Sequence, residues 1–259
     1  MPKRRSFVDK SKISAVLFLG GKSTRMGSLT ATKHKSLLTI GGFTILSHIY
    51  TQLRIFGINE IVFCTGYNYK KIIQYSKKQL LKDSNKILKI LKKNNKKIPN
   101  IIFSNLSANN STSERLIAAK KLITNDNLLI LYGDTLLKLS KNRYEEFLNR
   151  NNKSDVLLTV SNPIEKFGVA KFKKDKLISF SEKNYIKDRW VNSGWMIMKS
   201  KIIEKMNKKN LNFESSILTK TNKFNIMVFK NKNYYIPIDN VADLNKANND
   251  WKNNKKVWY

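Results

Sequence analysis

An apolar run, Ala15-Val16-Leu17-Phe18-Leu19, stops at paired glycines, Gly20-Gly21, and gives way to Lys22, Ser23, Thr24 and Arg25, with Lys33 and Lys35 shortly beyond. The run has the composition of a buried strand, and no carboxylate occurs from Ser11 to Asn59. Glycines let a backbone approach an anion closely and turn its N–H groups inward, while Arg and Lys add charge that amides lack. A strand ending in such a mouth points to an α/β fold that holds a phosphorylated ligand at a sheet edge.

Two well-known phosphate loops do not fit. Gly21-Lys22-Ser23 looks like the end of a Walker A loop, but Val16 stands where that loop needs its first glycine. The dinucleotide fingerprint fails as well, because Lys22 to Arg25 offer no third glycine at its spacing.

The rest of the chain repeats the strand-then-helix pattern. Residues 37–40 read as a short strand, and Ile45, Leu46, Ile49, Tyr50 and Leu53 recur at helical spacing up to Gly57. Residues 61–64, 101–103 and 128–131 read as strands, with helices from Tyr69 and over 113–123. A lysine-rich amphipathic stretch, 77–97, reads as one or two surface helices. Shorter strands follow at 156–160, 169–172, 177–180 and 195–198, and a last helix is expected over 241–251. With 259 residues the chain can bury one substantial core. Residues 1–12 read as a flexible basic arm ahead of a single domain over 13–259, with longer elements over 13–154 and shorter strands and a C-terminal helix over 155–259.

Fifty Lys and Arg residues against 18 Asp and Glu give a formal charge of +32. Such a charge ordinarily points to nucleic acid or an anionic surface. Here the lysines are spread along the whole chain among many asparagines, as a compositional bias on solvated faces would leave them, and no nucleic-acid partner is expected. A basic nucleic-acid-binding protein remains the competing reading, although it gives the acidic residues below no role. No apolar run approaches the ~20 residues of a membrane span, and a cytoplasmic location is expected. Cys64 is the single cysteine, which excludes an internal disulfide and suits a packed core thiol.

Two carboxylates follow apolar runs directly: Asp134 after residues 128–131 and Tyr132-Gly133, and Asp239 after Tyr234 to Ile238. A Gly-Asp turn accounts for Asp134, and a helix N-cap for Asp239, about as well as a metal does. Chemistry on a triphosphate normally needs Mg²⁺, which takes one or two carboxylates with phosphate oxygens and water. Beside the phosphate loop, the two aspartates gain weight as its ligands.

Several segments together resemble the sugar nucleotidyltransferases, and within them the glucose-1-phosphate cytidylyltransferases. Gly20-Gly21-Lys22-Ser23-Thr24-Arg25 and His34-Lys35-Ser36 fall where that family carries Gly-Gly-x-Gly-Thr-Arg and Pro-Lys-Pro. Ile40-Gly41-Gly42 through His48-Ile49, Cys64-Thr65-Gly66-Tyr67, Tyr132-Gly133-Asp134, Phe180-Ser181-Glu182-Lys183, Asn192-Ser193-Gly194 and Pro237-Ile238-Asp239 resemble further family segments in the same order. The third glycine of the loop is Ser23, both prolines beside the lysine are absent, which predicts a less rigid loop, and Thr112-Ser113-Glu114-Arg115 replaces Thr-Gly-Gly-Arg.

The resemblance implies a single-domain α/β fold with a Rossmann-like, mostly parallel mixed sheet flanked by helices, of GT-A-like type. It implies transfer of a nucleotidyl group, from CTP by preference, to a sugar 1-phosphate or similar phosphate or phosphonate acceptor with release of pyrophosphate, with a nucleotide-binding half, 13–154, and an acceptor-binding half with a C-terminal helix, 155–259. Leu19, Gly20, Gly21, Ser23, Thr24, Arg25, Lys35, Thr112 and Arg115 would hold the nucleotide, with Arg25, Lys35 and Lys183 as the catalytic cations. Asp134 and Asp239 would hold Mg²⁺, and Glu182, Lys183 and Asn192 the acceptor. A homo-oligomer is in keeping with such relatives. A degenerate member that senses a nucleotide without turning it over is the alternative that Ser23, His34, Ser36 and Glu114 leave open. His34 is expected to pack in the loop and His48 to be structural.

Overall fold

A computed structural model describes residues 13–21, 24–31, 33–95, 97–139, 154–163, 169–181, 189–206 and 212–259. The expected basic arm, 1–12, lies outside them. The centre is a seven-stranded sheet built from β1 (Ile13–Leu19), β4 (Glu60–Thr65), β5 (Asn100–Asn105), β6 (Asn127–Tyr132), β8 (Val156–Ser161), β11 (Val191–Lys199) and β12 (Ile226–Asn231), in the order β12-β8-β11-β6-β1-β4-β5. β1 pairs in parallel with β4 and β6, and β4 with β5, whereas β11 runs antiparallel between β6 and β8. The result is a mixed, mostly parallel sheet flanked by helices. Because β11 and β8 extend the sheet begun by β1 and β6, both expected halves of the chain share one sheet.

β1 is buried at all seven positions, as a central strand covered on both faces must be. Its alternation divides the interior. Ala15, Leu17 and Leu19 face one core, with α1 (Ile45–Phe56), α3 (Leu81–Ile90) and the C-terminal helix, while Val16 and Phe18 face the other, with α4 (Thr112–Lys120). α1 starts where Thr44 accepts a hydrogen bond from Ser47 N–H and stops at Gly57, whose left-handed φ of 80° favours a residue without Cβ. α2 (Tyr69–Tyr75) passes through a π turn, Ser76–Leu80, into α3. The lysine-rich stretch is thus a surface helix with Ile87 and Leu88 turned inward.

Three features depart from the sequence expectation. The expected strand over 37–40 is a 3₁₀ turn, Lys35–Leu37, followed by a two-residue strand, β2 (Thr39–Ile40), hairpinned to β3 (Phe43–Thr44). β9 (Val169–Lys173) and β10 (Lys176–Ser181) form a hairpin of their own outside the main sheet. β7 (Thr135–Leu137) and β13 (Tyr235–Pro237), a pair the sequence did not announce, join two distant stretches in antiparallel register. α5 (Phe213–Ile217) packs on α4, and α6 (Val241–Asn253) is the last helix. No described helix is long and apolar enough to cross a membrane.

Candidate active site

The site forms where β1 and β6 end side by side, at the point where the order of strands turns back on itself. Ligands of open α/β sheets collect there. Leu19, Gly20 and Gly21 leave β1, and Gly133 and Asp134 leave β6, with Gly133 N–H donating to Phe18 O at 3.1 Å. A Cβ on Gly133 would lie 2.4 Å from the Leu19 side chain, so only glycine lets the two exits run this close.

Arg115 backs the loop. The residue is 3 % exposed, and its guanidinium donates to Thr65 O and Ser107 O, both at 2.6 Å. A Cβ on Gly20 would lie 2.2 Å from the centre of that guanidinium. Gly20 is therefore required by a cation beneath the loop as well as by any anion above it. Thr112, the first residue of α4, accepts from Phe213 N–H at 3.0 Å. The departures from the family pattern beside it have a local explanation. Glu114 closes a capping box with Ser111, and Ser113 is buried against Ser216.

Lys35 reaches in from the 3₁₀ turn. Its Nζ donates to Asp134 Oδ2 at 2.9 Å and to Asp239 Oδ1 at 3.0 Å. The lysine side chain is 8 % exposed, whereas Asp134 and Asp239 retain 33 % and 40 %. The carboxylates thus face solvent across a buried ammonium. Asp239 comes alongside Asp134 because β13 pairs with β7 and Ile238 N–H donates to Asp134 O at 2.9 Å. The N-cap of α6 is Asn240, in a capping box with Asp243, so capping does not explain Asp239.

His34 and Ser36, on either side of Lys35, bond to each other. His34 Nδ1 accepts from Ser36 N–H at 3.2 Å and lies 2.8 Å from Ser36 Oγ. A backbone donor on Nδ1 fixes the ring proton on Nε2. Burial, helped by the Lys35 charge, pushes the His34 pKa down to about 4, so the ring is neutral. His34 is buried and packs in the loop, as its sequence position suggested.

Leu19, Gly20, Gly21, His34, Lys35, Thr112, Arg115, Tyr132, Asp134 and Asn212 are among the residues that line a cavity of about 250 Å³. Thr24 and Arg25 open the turn that follows the loop, Thr24–Thr30. Ser23, Glu182 and Lys183 lie outside the described residues. Asn192, at the start of β11, lies at the sheet edge that carries Asp134, because β11 runs antiparallel to β6. Its side chain accepts from Gly194 N–H at 2.8 Å, and its carbonyl accepts from the Tyr235 hydroxyl at 3.4 Å. Tyr235 is a residue that the sequence reading passed over. Burial, together with Asp239, Asp134 and Asp243, pushes its hydroxyl up to about 12, so it remains a donor among carboxylates. The only signal was its place four residues before Asp239, too common a pattern to single out a tyrosine. Trp195 is wholly buried and contributes packing alone.

A family model described as nucleotidyl transferase matches residues 14–256, and the chain belongs to that family. It is a nucleotidyltransferase. Among curated relatives, the protein named "Probable glucose-1-phosphate cytidylyltransferase" of Bacillus subtilis is 26 % identical over 253 residues, covering 95 % of this chain and 99 % of its own. The glucose-1-phosphate cytidylyltransferase of Salmonella typhimurium is 24 % identical over 254 residues, covering 95 % and 98 %. Among solved structures, HddC from Yersinia pseudotuberculosis superposes with a TM-score of 0.69 at 22 % identity, over 92 % of this chain and 99 % of that one, a likeness of fold.

Proposed function

We propose that the enzyme is a Mg²⁺-dependent cytidylyltransferase that transfers CMP from CTP to a sugar 1-phosphate, or a similar phosphate or phosphonate, and releases pyrophosphate. One observation carries the reading: Lys35 and Asp134 line the cavity that Gly20 and Gly21 also line, and the Lys35 ammonium bonds both Asp134 and Asp239. The relatives named above supply the choice of CTP and of glucose 1-phosphate as the first pair to try.

The donor set suits the metal. No group of three or more His, Cys, Asp or Glu converges among the described residues. Two carboxylates alone are what a magnesium ion takes when phosphate oxygens and water complete its shell. Asp134 and Asp239 would hold it, and it would supply charge neutralisation at the phosphates. Leu19, Gly20, Gly21, Ser23 and Thr24 would present the loop to the triphosphate, with Thr112 and Arg115 framing the nucleotide side. Arg25 and Lys35 would balance its charge. Glu182, Lys183 and Asn192 would hold the acceptor.

The reaction then needs no general base. A phosphate oxygen of the acceptor, already ionised at pH 7, attacks the α-phosphorus in line. The new P–O bond forms as the bond to the β-phosphate oxygen breaks, and pyrophosphate leaves with the electron pair. Catalysis comes from holding two anions together and neutralising the developing charge. His34, neutral and bound to Ser36, takes no proton.

Pyrophosphate release with Mg²⁺, scanning CTP, UTP, GTP, ATP and dTTP against sugar 1-phosphates and small phosphonates, tests the proposal. Release with CTP alone, and only with acceptor present, is expected. Asp134→Asn is expected to lose on the order of 10²-fold or more in turnover while remaining folded. A wild-type rate in that variant would remove Asp134 from the metal site, and release with another triphosphate alone would replace CTP.

A further inference from the structure

The position of the Lys35 ammonium bears on how metal and nucleotide arrive. Nζ lies 2.9 Å from Asp134 Oδ2 and 3.0 Å from Asp239 Oδ1, between the two carboxylates and in contact with an oxygen of each. A cation shared by both aspartates would compete for the same electrostatic seat. The lysine is the buried member of the trio, and the carboxylates are the exposed members. An incoming metal therefore meets carboxylates already neutralised in part from behind, and it meets a like charge. Lys35 itself has somewhere to go. Its stem is a flexible four-carbon chain, and its root is held by the His34–Ser36 clasp at the wall of the cavity that also contains Gly20 and Gly21. A triphosphate in that cavity offers the ammonium another set of anionic oxygens.

We propose that Lys35 is a resident counter-ion that reserves the carboxylate pair until nucleotide arrives, so that metal binding is coupled to nucleotide binding through the movement of one ammonium group. The inference rests on the reading of Asp134 and Asp239 as metal ligands. Without nucleotide, Lys35 occupies the pair and metal binds weakly. With nucleotide, Lys35 turns to the phosphates, both carboxylates are released, and metal binds tightly. The coupling is reciprocal by linkage, so metal tightens nucleotide by the same factor.

Mn²⁺ binding followed by electron paramagnetic resonance, with and without CTP and with no acceptor present, tests this without turnover. Wild-type protein is expected to bind Mn²⁺ at least tenfold more tightly with saturating CTP than alone. Lys35→Met, which keeps length and removes charge, is expected to bind Mn²⁺ alone at least tenfold more tightly than wild type, with little further gain from CTP. Lys35→Arg keeps the charge and is expected to bind Mn²⁺ alone as weakly as wild type. The rise in melting temperature on adding Mn²⁺ reports the same contrast in a destabilised variant, larger for Lys35→Met than for wild type. Equal Mn²⁺ affinity of wild type and Lys35→Met without nucleotide overturns the inference and leaves the metal ligands standing. Absence of Mn²⁺ binding in every state removes the ligands themselves, and the inference with them.

Discussion

Two adjacent glycines in the loop have different reasons to be glycine. The Cβ of an alanine at position 20 would overlap the Arg115 guanidinium, which is pinned by two hydrogen bonds, whereas at position 21 it would meet nothing within 4 Å. Gly20→Ala must displace a buried cation and leave polar groups unmade, at a cost of about 1–3 kcal/mol, and is expected to weaken binding of the proposed nucleotide about tenfold. Gly21→Ala is expected to leave stability unchanged. Urea unfolding and calorimetric titration of the two variants check the contrast, and a Gly20→Ala protein as stable as wild type would refute it. Lys35, Asp134 and Asp239 were legible in the sequence because each sits at the end of an apolar run or beside the glycine loop. The other partners were not. That Arg115 bonds to carbonyls at 65 and 107, that Tyr235 stands among aspartates, and that His34 and Ser36 clasp each other depend on which backbone atoms the fold brings near, and no residue pattern encodes that.

The strands and helices were legible wherever periodicity or unbroken apolar runs marked them. β1, β4, β5, β6, α1 and α6 fall within a few residues of expectation. Elements held by partners were missed. β7 and β13 have three residues each and exist because they pair with each other. β12 has only two of its six residues buried, so its sequence carries no strong signal. The end of the chain gives a test at this scale. Trp258 is fully buried, stacks on Trp251 with centroids 5.3 Å apart, meets the His48 ring edge-on at 5.2 Å, and offers its carbonyl to Gln52 at 2.6 Å. This cluster fastens α6 to α1, and with α6 the segment that carries Asp239. Trp258→Ala is expected to cost about 3–5 kcal/mol, read as a lower urea midpoint. A loss below about 1 kcal/mol would mean that the tail is decoration and not part of the core.

For the molecule as a whole, the two histidines set a pH dependence. Burial pushes both His34 and His48 down to about 4 from an ordinary 6.5. Between those values the unfolded chain holds protons that the folded one refuses, so stability is full above about pH 6.5 and is lost as the pH falls toward 4. Each histidine contributes about 3 kcal/mol over that window. Urea titrations between pH 7 and pH 4.5 are expected to show the decline, and a flat profile would mean that the rings accept protons in place. The pairing of β7 with β13 has a last consequence. Asp239 follows Lys35 by 204 positions, and the two meet only after that pairing forms. During synthesis the loop, the lysine and Asp134 all leave the ribosome well before the second aspartate does. With Asp239 as the proposed second metal ligand, a nascent chain that has released only the loop, Lys35 and Asp134 is expected to be inactive until the closing segment docks.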